Sequence, residues 1–297
     1  MQIYSISVDK GQRETTPSER AFPLGVYHSV MRKNVLGYTP LHWNEELQFC
    51  RISHGTIRFY VGEENYTLQE GDGIFINSGY LHMARPVDDP DSSYICLDVM
   101  PQLLAGFPGS AMEQKYVLPA LSDLGLSHLP LYQTEPWQKT VLEKILHIYE
   151  SYEARPYGWE LEILALFLDI FLAVLEHRPQ GTPLMRKSRG NTAVQKIISY
   201  ISANYGDPIT LDQIASYAAY TPSECCRMFK RFTGESIFSY LREFRLEQSA
   251  NLLTSTEQSV SDIAYTCGFN STSYYIDTFK KQFGITPLQY KKQHNEA

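Results

Sequence analysis

Short stretches of alternating hydrophobic and polar residues occupy the chain from about residue 20 to residue 100. In "TIRFYVG", Ile57, Phe59 and Val61 alternate with polar neighbours, which is the two-residue period of a strand with one buried face. "GEEN" predicts a turn, the glycines of "EGDGIF" predict a break between two further strands, and "SSYICLDV" predicts another strand. Several short strands separated by glycine turns favour a β-barrel or sandwich.

The hydrophobic period becomes helical from about residue 136. "PWQKTVLEKILHIYESYE" carries hydrophobic residues at helical spacing from Trp137 to Tyr152, and Pro136 suits the first helical position. "GWELEILALFLDIFLAVLEH" predicts a second helix that is apolar on most of its surface. Such a helix needs partners on more than one side. It either packs only on its neighbour and on the strands, or it also forms a seam between two copies of the chain. We expect the helical pair at residues 136–178 to form the interface of a homodimer.

A boundary between two domains is predicted after these helices. "RPQGTPLMRKSRGN" at 178–191 combines prolines, glycines and cations, a composition typical of a linker, which we place at 179–190. Residues 1–185 carry 13 Lys and Arg against 23 Asp and Glu, whereas residues 186–297 carry 13 against 10. An acidic domain is therefore joined to a mildly basic one.

The last hundred residues contain an internal repeat. Ile214-Ala215 matches Ile263-Ala264 at an offset of 49 residues, and Phe229-Lys230 matches Phe279-Lys280 at an offset of 50. Each copy is predicted to form a helix, a short turn and a second helix, at about 209–232 and 259–282. This is the helix-turn-helix plan, in which the second helix enters the major groove of DNA. "SIFSYLREFRLEQSANLL" predicts a long helix that connects the two copies.

Residues 191–292 resemble the DNA-binding domain of the AraC/XylS family of transcriptional regulators. The second copy carries the family's order of Ile-Ala, Gly-Phe, a polar run with aromatics, Phe-Lys-Lys, Phe-Gly and Pro-x-x-Tyr. The resemblance implies a two-domain α+β protein. Its N-terminal part, 1–135, would be a cupin-like β-barrel that binds an effector, followed by the helical dimerisation pair and then by an all-α domain with two helix-turn-helix units.

The predicted recognition helices supply the residues expected to contact DNA. Arg227 is the expected base reader, because a guanidinium can contact guanine O6 and N7 together. Lys230 and Arg231 are expected on phosphates, as are Lys280 and Lys281. The same residues would also suit an ordinary solvated helix surface. The complete expected set is Ser223, Cys226, Arg227, Lys230 and Arg231 in the first unit, and Thr272, Ser273, Ile276, Asp277, Lys280 and Lys281 in the second.

Asp277 departs from the family, whose members often carry arginine at this position. A carboxylate near phosphates is repelled unless it accepts from cytosine N4 or pairs with a cation. We therefore expect the second unit to read bases weakly and the first unit to provide most of the sequence discrimination.

The segment from 42 to 82 resembles the two cupin motifs. His42, Asn44 and Gln48 stand where the first motif has its His-x-His and glutamate ligands, and His82 stands in the second motif. Amide oxygens are poor ligands for zinc or iron and carry no negative charge. We therefore expect no metal, no cofactor and no enzymatic activity. Trp43, Tyr27 and Arg32 are expected to be further ligand-binding residues.

These side chains are expected to bind a polar neutral effector such as a sugar or a related metabolite, because amides and neutral imidazoles both donate and accept hydrogen bonds. His42 and His82 would alternatively be buried core histidines without a ligand. Two rival functions remain: a metal-dependent cupin enzyme fused to a regulatory tail, and a C-terminal bundle that binds protein rather than DNA.

The remaining features favour a cytoplasmic regulator. The N-terminus has no basic start followed by an apolar core, and "LEILALFLDIFLAVLEH" is interrupted by Glu162 and Asp169. We expect no membrane partner. The expected partners are double-stranded promoter DNA, the small-molecule effector, a second copy of the chain and, for an activator, RNA polymerase.

Overall fold

The computed structural model describes residues 13–14, 22–123, 125–178 and 185–295. They divide into two compact units, one ending at Asn191 and the other beginning at Thr192. The strands are β1 (Leu24–Val30), β2 (Thr39–His42), β3 (Leu47–His54), β4 (Thr56–Val61), β5 (Glu64–Gln69), β6 (Gly73–Ile76), β7 (His82–Pro86), β8 (Ser93–Val99) and β9 (His128–Leu131). The helices are α1 (Pro101–Ala105), α2 (Leu118–Ser122), α3 (Pro136–Ala154), α4 (Trp159–Glu176), α5 (Met185–Asn204), α6 (Leu211–Ala218), α7 (Pro222–Thr233), α8 (Ile237–Ser255), α9 (Val260–Thr266), α10 (Thr272–Phe283) and α11 (Pro287–Asn295).

The first unit contains two antiparallel sheets. One has the strand order β1-β8-β3-β6-β9 and the other β2-β7-β4-β5. The predicted strands and the β-rich domain are confirmed, but within the described ranges no strand pairing joins the two sheets into a closed barrel. At one open edge the side chains bridge the gap, because His128 Nε2 lies 3.0 Å from the Tyr66 hydroxyl, which itself donates to Glu64.

The five-stranded sheet separates two hydrophobic cores. Because successive side chains of a strand point to opposite faces, Phe49 and Leu97 pack with helices α3 and α4, whereas Cys50 and Cys96 lie in the core between the sheets. Pairing in β3 and β8 sets Gln48 opposite Asp98, Cys50 opposite Cys96 and Ile52 opposite Tyr94. One end of the space between the sheets is therefore polar and the other is apolar.

Helices α3 and α4 form the predicted pair. Pro136 occupies the first turn of α3, and a turn with left-handed residues Arg155 and Gly158 leads into α4. Lys144 Nζ lies 3.0 Å from Asp169, and the Ser151 hydroxyl donates to Glu162 at 2.6 Å. The partner number falls as the α3 number rises, so the two helices are antiparallel.

The second unit contains helices only. Helix α5 begins at Met185, so residues 185–190 of the segment expected to be a linker are helical. The two helix-turn-helix units are α6–α7 and α9–α10, connected by α8, in which the predicted core residues Ile237, Leu241, Phe244 and Leu253 are all buried. No helix within the described ranges is long and apolar enough to cross a membrane.

Candidate DNA interface and buried polar site

Side-chain caps fix both helices of the first helix-turn-helix unit. Thr210 and Gln213 form a capping box at the start of α6, and Thr221 and Glu224 form a second one at the start of α7. The Thr221 backbone N–H donates to Glu224 at 3.0 Å, and this hydrogen bond lowers the pKa of that carboxyl. Each box satisfies amide donors that a helix otherwise leaves unpaired at its N-terminus. The second capping box thereby fixes the residue at which helix α7 begins.

Helix α7 presents the expected DNA-contacting residues to solvent. Cys225 and Phe229 are fully buried, and Met228 is partly buried, as the helical spacing predicts. The opposite face carries the exposed residues Ser223, Cys226, Arg227, Lys230 and Arg231.

Helix α10 buries the equivalent positions but presents different chemistry. Tyr275 and Phe279 are fully buried. Thr272 and Ile276 are partly exposed, and Ser273, Asp277, Lys280 and Lys281 are exposed. The exposed face also carries Tyr274, whose side chain is 55% exposed and which the sequence reasoning missed. Asp277 holds the position of Arg227, so the two recognition faces differ in charge.

The connecting helix ties the two reading units together. Arg245 on α8 donates from Nε to the Tyr205 carbonyl at 2.8 Å and from Nη2 to the Asp207 carbonyl at 2.9 Å. Gly268, in the turn of the second unit, leaves room for this guanidinium, because a Cβ there would lie 2.7 Å from Arg245 Nη2. Arg245 thus holds together the turn after α5, helix α8 and the second helix-turn-helix unit.

The first unit of the fold brings the two predicted pocket histidines together. His42 on β2 and His82 on β7 are cross-strand partners, and their rings meet edge to face with centroids 4.1 Å apart. Both are fully buried. His42 Nδ1 lies 2.7 Å from the Pro40 carbonyl, and His82 Nδ1 lies 2.9 Å from the Tyr80 carbonyl. A carbonyl only accepts, so each Nδ1 carries a proton.

Burial, and then the neighbouring His42, lower the pKa of His82 well below its usual range. His82 is therefore a neutral imidazole at physiological pH. Neither Nε2 atom of the pair has a hydrogen-bond partner in the described parts of the chain.

The two amides of the first cupin-like motif have different surroundings. Asn44 is fully buried, and neither its Nδ2 nor its Oδ1 has a partner within the described ranges. Gln48 donates from Nε2 to Asp98 Oδ1 at 3.0 Å and accepts from the Cys50 thiol at 3.6 Å. The amide of Asn44 is thus available to a ligand, whereas that of Gln48 is already engaged and holds Asp98 in place.

Three buried carboxyl groups at this site were not predicted. Asp98 is fully buried, and Glu14 and Glu46 are nearly so. Glu14 donates its backbone N–H to the Trp43 carbonyl at 2.7 Å, which brings its carboxylate 3.5 Å from His42 Nε2. The alternation of "SSYICLDV" could have revealed Asp98, because Tyr94, Cys96 and Asp98 share one face of β8. No local pattern could have revealed Glu14, whose place depends on a pairing between distant segments.

The other expected pocket residues lie in three different places. Tyr27 on β1 packs against the core between the sheets. Trp43 separates His42 from Asn44 and pairs through its backbone with residues 13 and 14. Arg32 is at the surface, where its exposed guanidinium pairs with Asp91 at 2.5 Å. It is therefore not brought to the buried site.

The His, Cys, Asp and Glu side chains that the structure describes provide no recognised metal centre. No group of three or more His, Cys, Asp or Glu side chains among the described residues has an arrangement that could hold a metal ion. The five cysteines are all free thiols.

Two exposed recognition helices, together with a β-domain that encloses a buried polar site, define the class of DNA-binding regulators with a ligand-binding domain. Comparison with known proteins agrees. The AraC-like ligand binding domain matches residues 25–134, and a helix-turn-helix domain matches residues 214–293. The uncharacterized HTH-type transcriptional regulator YdeC of Bacillus subtilis is 31% identical over 293 residues, which are 97% of this chain and 98% of YdeC.

The HTH-type transcriptional activator RhaR of Escherichia coli K12 is 23% identical over 264 residues, covering 86% of this chain and 88% of RhaR. A solved AraC-type regulator from Chromobacterium violaceum is 29% identical and covers 36% of this chain and 96% of its own, with a TM-score of 0.35. The chain belongs to the AraC family of transcriptional regulators.

Proposed function

We propose that this regulator binds promoter DNA through α7 and α10, and that a polar effector held at the buried site changes that binding. The observation that carries the proposal is the set of buried polar atoms around His42, His82 and Asn44 that lack protein partners within the described ranges. Buried polar groups are normally hydrogen-bonded. A hydroxyl-rich molecule, a sugar or a related metabolite, would satisfy them.

The effector acts by differential binding. A ligand shifts an equilibrium only as far as it prefers one arrangement of the protein over another. The effector changes DNA binding if two arrangements of the protein differ in their affinity for the promoter. It must then bind one of these arrangements more tightly than the other. If the regulation is activation, RNA polymerase is a further partner.

Base discrimination is assigned mainly to the first unit. Arg227 is exposed on α7, and its guanidinium matches the two acceptors of guanine in the major groove. At the equivalent place α10 offers the carboxylate of Asp277, which phosphates repel. Lys230, Lys280 and Lys281 are assigned to phosphate contacts, which add affinity without sequence information.

Dimerisation is assigned to the outer face of α4. Leu161, Ala165, Leu168, Leu172 and Leu175 follow one another at spacings of four and three residues, which is the seam of a two-stranded coiled coil. The inner face packs on the unit's own core through Ile163, Phe167 and Ile170, and Leu168 and Leu175 at the edge of the stripe are partly packed against the same core. Leu161 is 75% exposed and Leu172 is 52% exposed.

The seam fits a second copy of the same helix. Acids flank it, but Asp169 is paired with Lys144 and Glu162 with His147 from α3, each at 3.0 Å. The Lys144 ammonium thereby reduces repulsion between the Asp169 carboxylates of two copies. One apolar stripe on each copy makes a self-complementary interface with two-fold symmetry.

Footprinting tests the function. The DNA upstream of this gene and of its neighbours is probed with the full-length protein, with and without candidate sugars. We expect a protected site whose extent or affinity changes with an effector. Arg227→Ala should weaken specific binding by roughly 1 to 3 kcal/mol and relax the base preference in one half of the site. Asp277→Ala should leave affinity unchanged or raise it slightly.

Lys196→Ala, which removes an exposed cation from α5, controls for the loss of positive charge. Arg227→Ala binding with full affinity and specificity would contradict the DNA interface and favour a bundle that binds protein.

A further inference from the structure

The buried site holds far more hydrogen-bond acceptors than donors. The side-chain atoms without a hydrogen bond in the described part of the site are Glu14 Oε2, Asp98 Oδ2, His42 Nε2, His82 Nε2, and Oδ1 and Nδ2 of Asn44. His82 Nε2 accepts because the neutral ring carries its proton on Nδ1, the carboxylate oxygens and Asn44 Oδ1 accept as well, and the Asn44 Nδ2 group donates. A complementary ligand must therefore be rich in donors.

The same site is acidic, and no Lys or Arg among the described residues contacts its carboxylates. Glu14 lies 3.5 Å from His42 Nε2, and Asp98 has no ion-pair partner in the described ranges. Burial, and then the carboxylates of Glu14 and Glu46, raise the pKa of Asp98 well above its usual range. Burial also raises the pKa of Glu46, and Glu14 adds to that rise. A positive charge at this place would be stabilised by all three groups.

The carboxylates and the histidines belong to one site. Gln48 and Asp98 are cross-strand partners in one sheet, and His42 and His82 are cross-strand partners in the other. Glu14 connects the two pairs, because it lies beside His42 and its charge acts on Asp98. Asn44, fully buried two residues after His42, adds an amide that is not engaged elsewhere in the described chain.

We propose that the effector is a hydroxylated primary amine, such as a hexosamine or an amino polyol, bound with its ammonium group at Asp98 and Glu14. The ammonium supplies three donors and the positive charge. One of its hydroxyl groups donates to the Nε2 atom of His82, and one hydroxyl oxygen accepts from Asn44. The assignment rests on the proposed function, since it names the ligand of the same site.

The charge of the site also predicts which compounds are rejected. A sugar phosphate or a uronic acid brings a negative charge toward Asp98 and Glu14, which no Lys or Arg contacts in the part of the chain that the structure describes. An N-acetylated amine loses the charge and two donors and brings a carbonyl acceptor. A neutral hexose keeps its hydroxyl donors but offers no counter-charge.

Matched ligands test the assignment on the full-length protein by isothermal titration calorimetry and thermal unfolding. The panel contains glucosamine, galactosamine and mannosamine, each beside its parent hexose, its N-acetyl derivative and its 6-phosphate. We expect at least one amine to bind about 30-fold or more tightly than its neutral counterparts, as the loss of a charge-assisted hydrogen bond implies. The 6-phosphates should not bind.

Two variants place the amine. Glu14→Gln and Asp98→Asn keep the shape of each side chain and remove its charge, and each should reduce the preference for the amine to about threefold or less. Asp88→Asn, at an exposed position after β7, is the matched control and should retain the preference. Glu14→Gln, at the edge of the site, keeps the test valid if Asp98→Asn fails to fold.

The outcomes separate this assignment from the proposed function. Equal binding of an amine and its parent hexose, or binding of a 6-phosphate, would overturn the amine class and leave an effector-responsive regulator intact. Absence of binding by every amine would overturn the class as well, and so would stoichiometric metal in the purified protein. Failure of specific DNA binding in the footprint would overturn the function itself.

Discussion

Ala219 and Gly268 hold the same place in the two helix-turn-helix units, 49 residues apart, and both have left-handed backbones with φ of 63° and 78°. The turn between the two helices requires this conformation. Glycine adopts it freely, whereas a residue with a Cβ pays roughly 1 to 2 kcal/mol. The first unit therefore contains strain that the second avoids.

Exchanging the two residue types should have opposite effects. Ala219→Gly should change the free energy of unfolding of the compact unit that begins at Thr192 by less than about 1 kcal/mol, with a gain in stability expected. Gly268→Ala should cost more than about 2 kcal/mol, because its Cβ would also lie 2.5 Å from the Tyr205 carbonyl oxygen. Hydrogen exchange of peptides from 205–235 and 260–285 measures both effects.

All three tryptophans, at 43, 137 and 159, belong to the first unit. Tryptophan fluorescence should therefore report unchanged unfolding of that unit in both variants. Equal exchange rates in the two variants would contradict the strain argument.

Glu247 makes the stability of the compact unit that begins at Thr192 depend on pH. Burial on α8 raises the pKa of this carboxyl from 4.5 to about 7, so the folded state holds its proton more tightly than the unfolded state. Between pH 4.5 and 7 the folded state binds more protons, and stability falls as the pH rises. The loss above pH 7 is on the order of 1 to 3 kcal/mol.

Glu247→Gln should remove this dependence and make the second unit more stable at pH 8. Hydrogen exchange of α8 peptides at pH 5.5 and 8, corrected for intrinsic rates, provides the measurement. Glu257→Gln, whose parent side chain is 97% exposed, is the control and should keep the wild-type profile. A Glu247→Gln profile that follows the control would refute the raised pKa.

At the scale of single elements, helix α4 has two apolar faces with different surroundings. Its inner face is buried in the unit's own core, and its outer stripe from Leu161 to Leu175 continues into an apolar groove lined by Leu104, Met112 and Tyr116. The sequence indicated the all-round hydrophobicity. The structure separates the residues that are buried in the unit's own core from those that are exposed.

Disrupting the stripe should separate the proposed dimer without unfolding the chain. The double variant Leu161→Glu and Leu172→Glu places charges at two exposed seam positions, so folding of the monomer should be nearly unaffected. Light scattering after size-exclusion chromatography should show the mass shift from two chains to one.

Val87→Glu, at an exposed hydrophobic position outside the stripe, should remain dimeric. A wild-type protein that is monomeric at micromolar concentration, or a double variant that stays dimeric, would contradict the seam.

At the scale of the whole molecule, the chemistry of the two units differs as their charges do. Residues 1–185 have a net charge of −10 and include the acidic buried site, whereas residues 186–297 have a net charge of +3 and include the recognition helices. A small net positive charge makes only a modest contribution to non-specific DNA affinity. We therefore expect affinity to depend on where the cations lie, above all on Arg227 and the lysines of α7 and α10.

The sequence by itself determined the regular elements and the helix-turn-helix units, because both depend on local periods, caps and turn residues. The two-residue alternation identified β4 and β8, and the repeat identified α6–α7 and α9–α10. The cupin-like spacing, which is local, also singled out His42, His82 and Asn44, which the structure buries with polar atoms that have no partner in the described ranges.

Only the tertiary structure decided the chemistry of the site. A backbone hydrogen bond from Glu14 to Trp43, between distant segments, places the Glu14 carboxylate beside His42, and β3–β8 pairing sets Asp98 against Gln48. The same pairing engages the Gln48 amide with Asp98, while Arg32 remains at the surface. Long-range strand register determines which buried polar atoms are paired and which are left for a ligand, and no local pattern encodes that register.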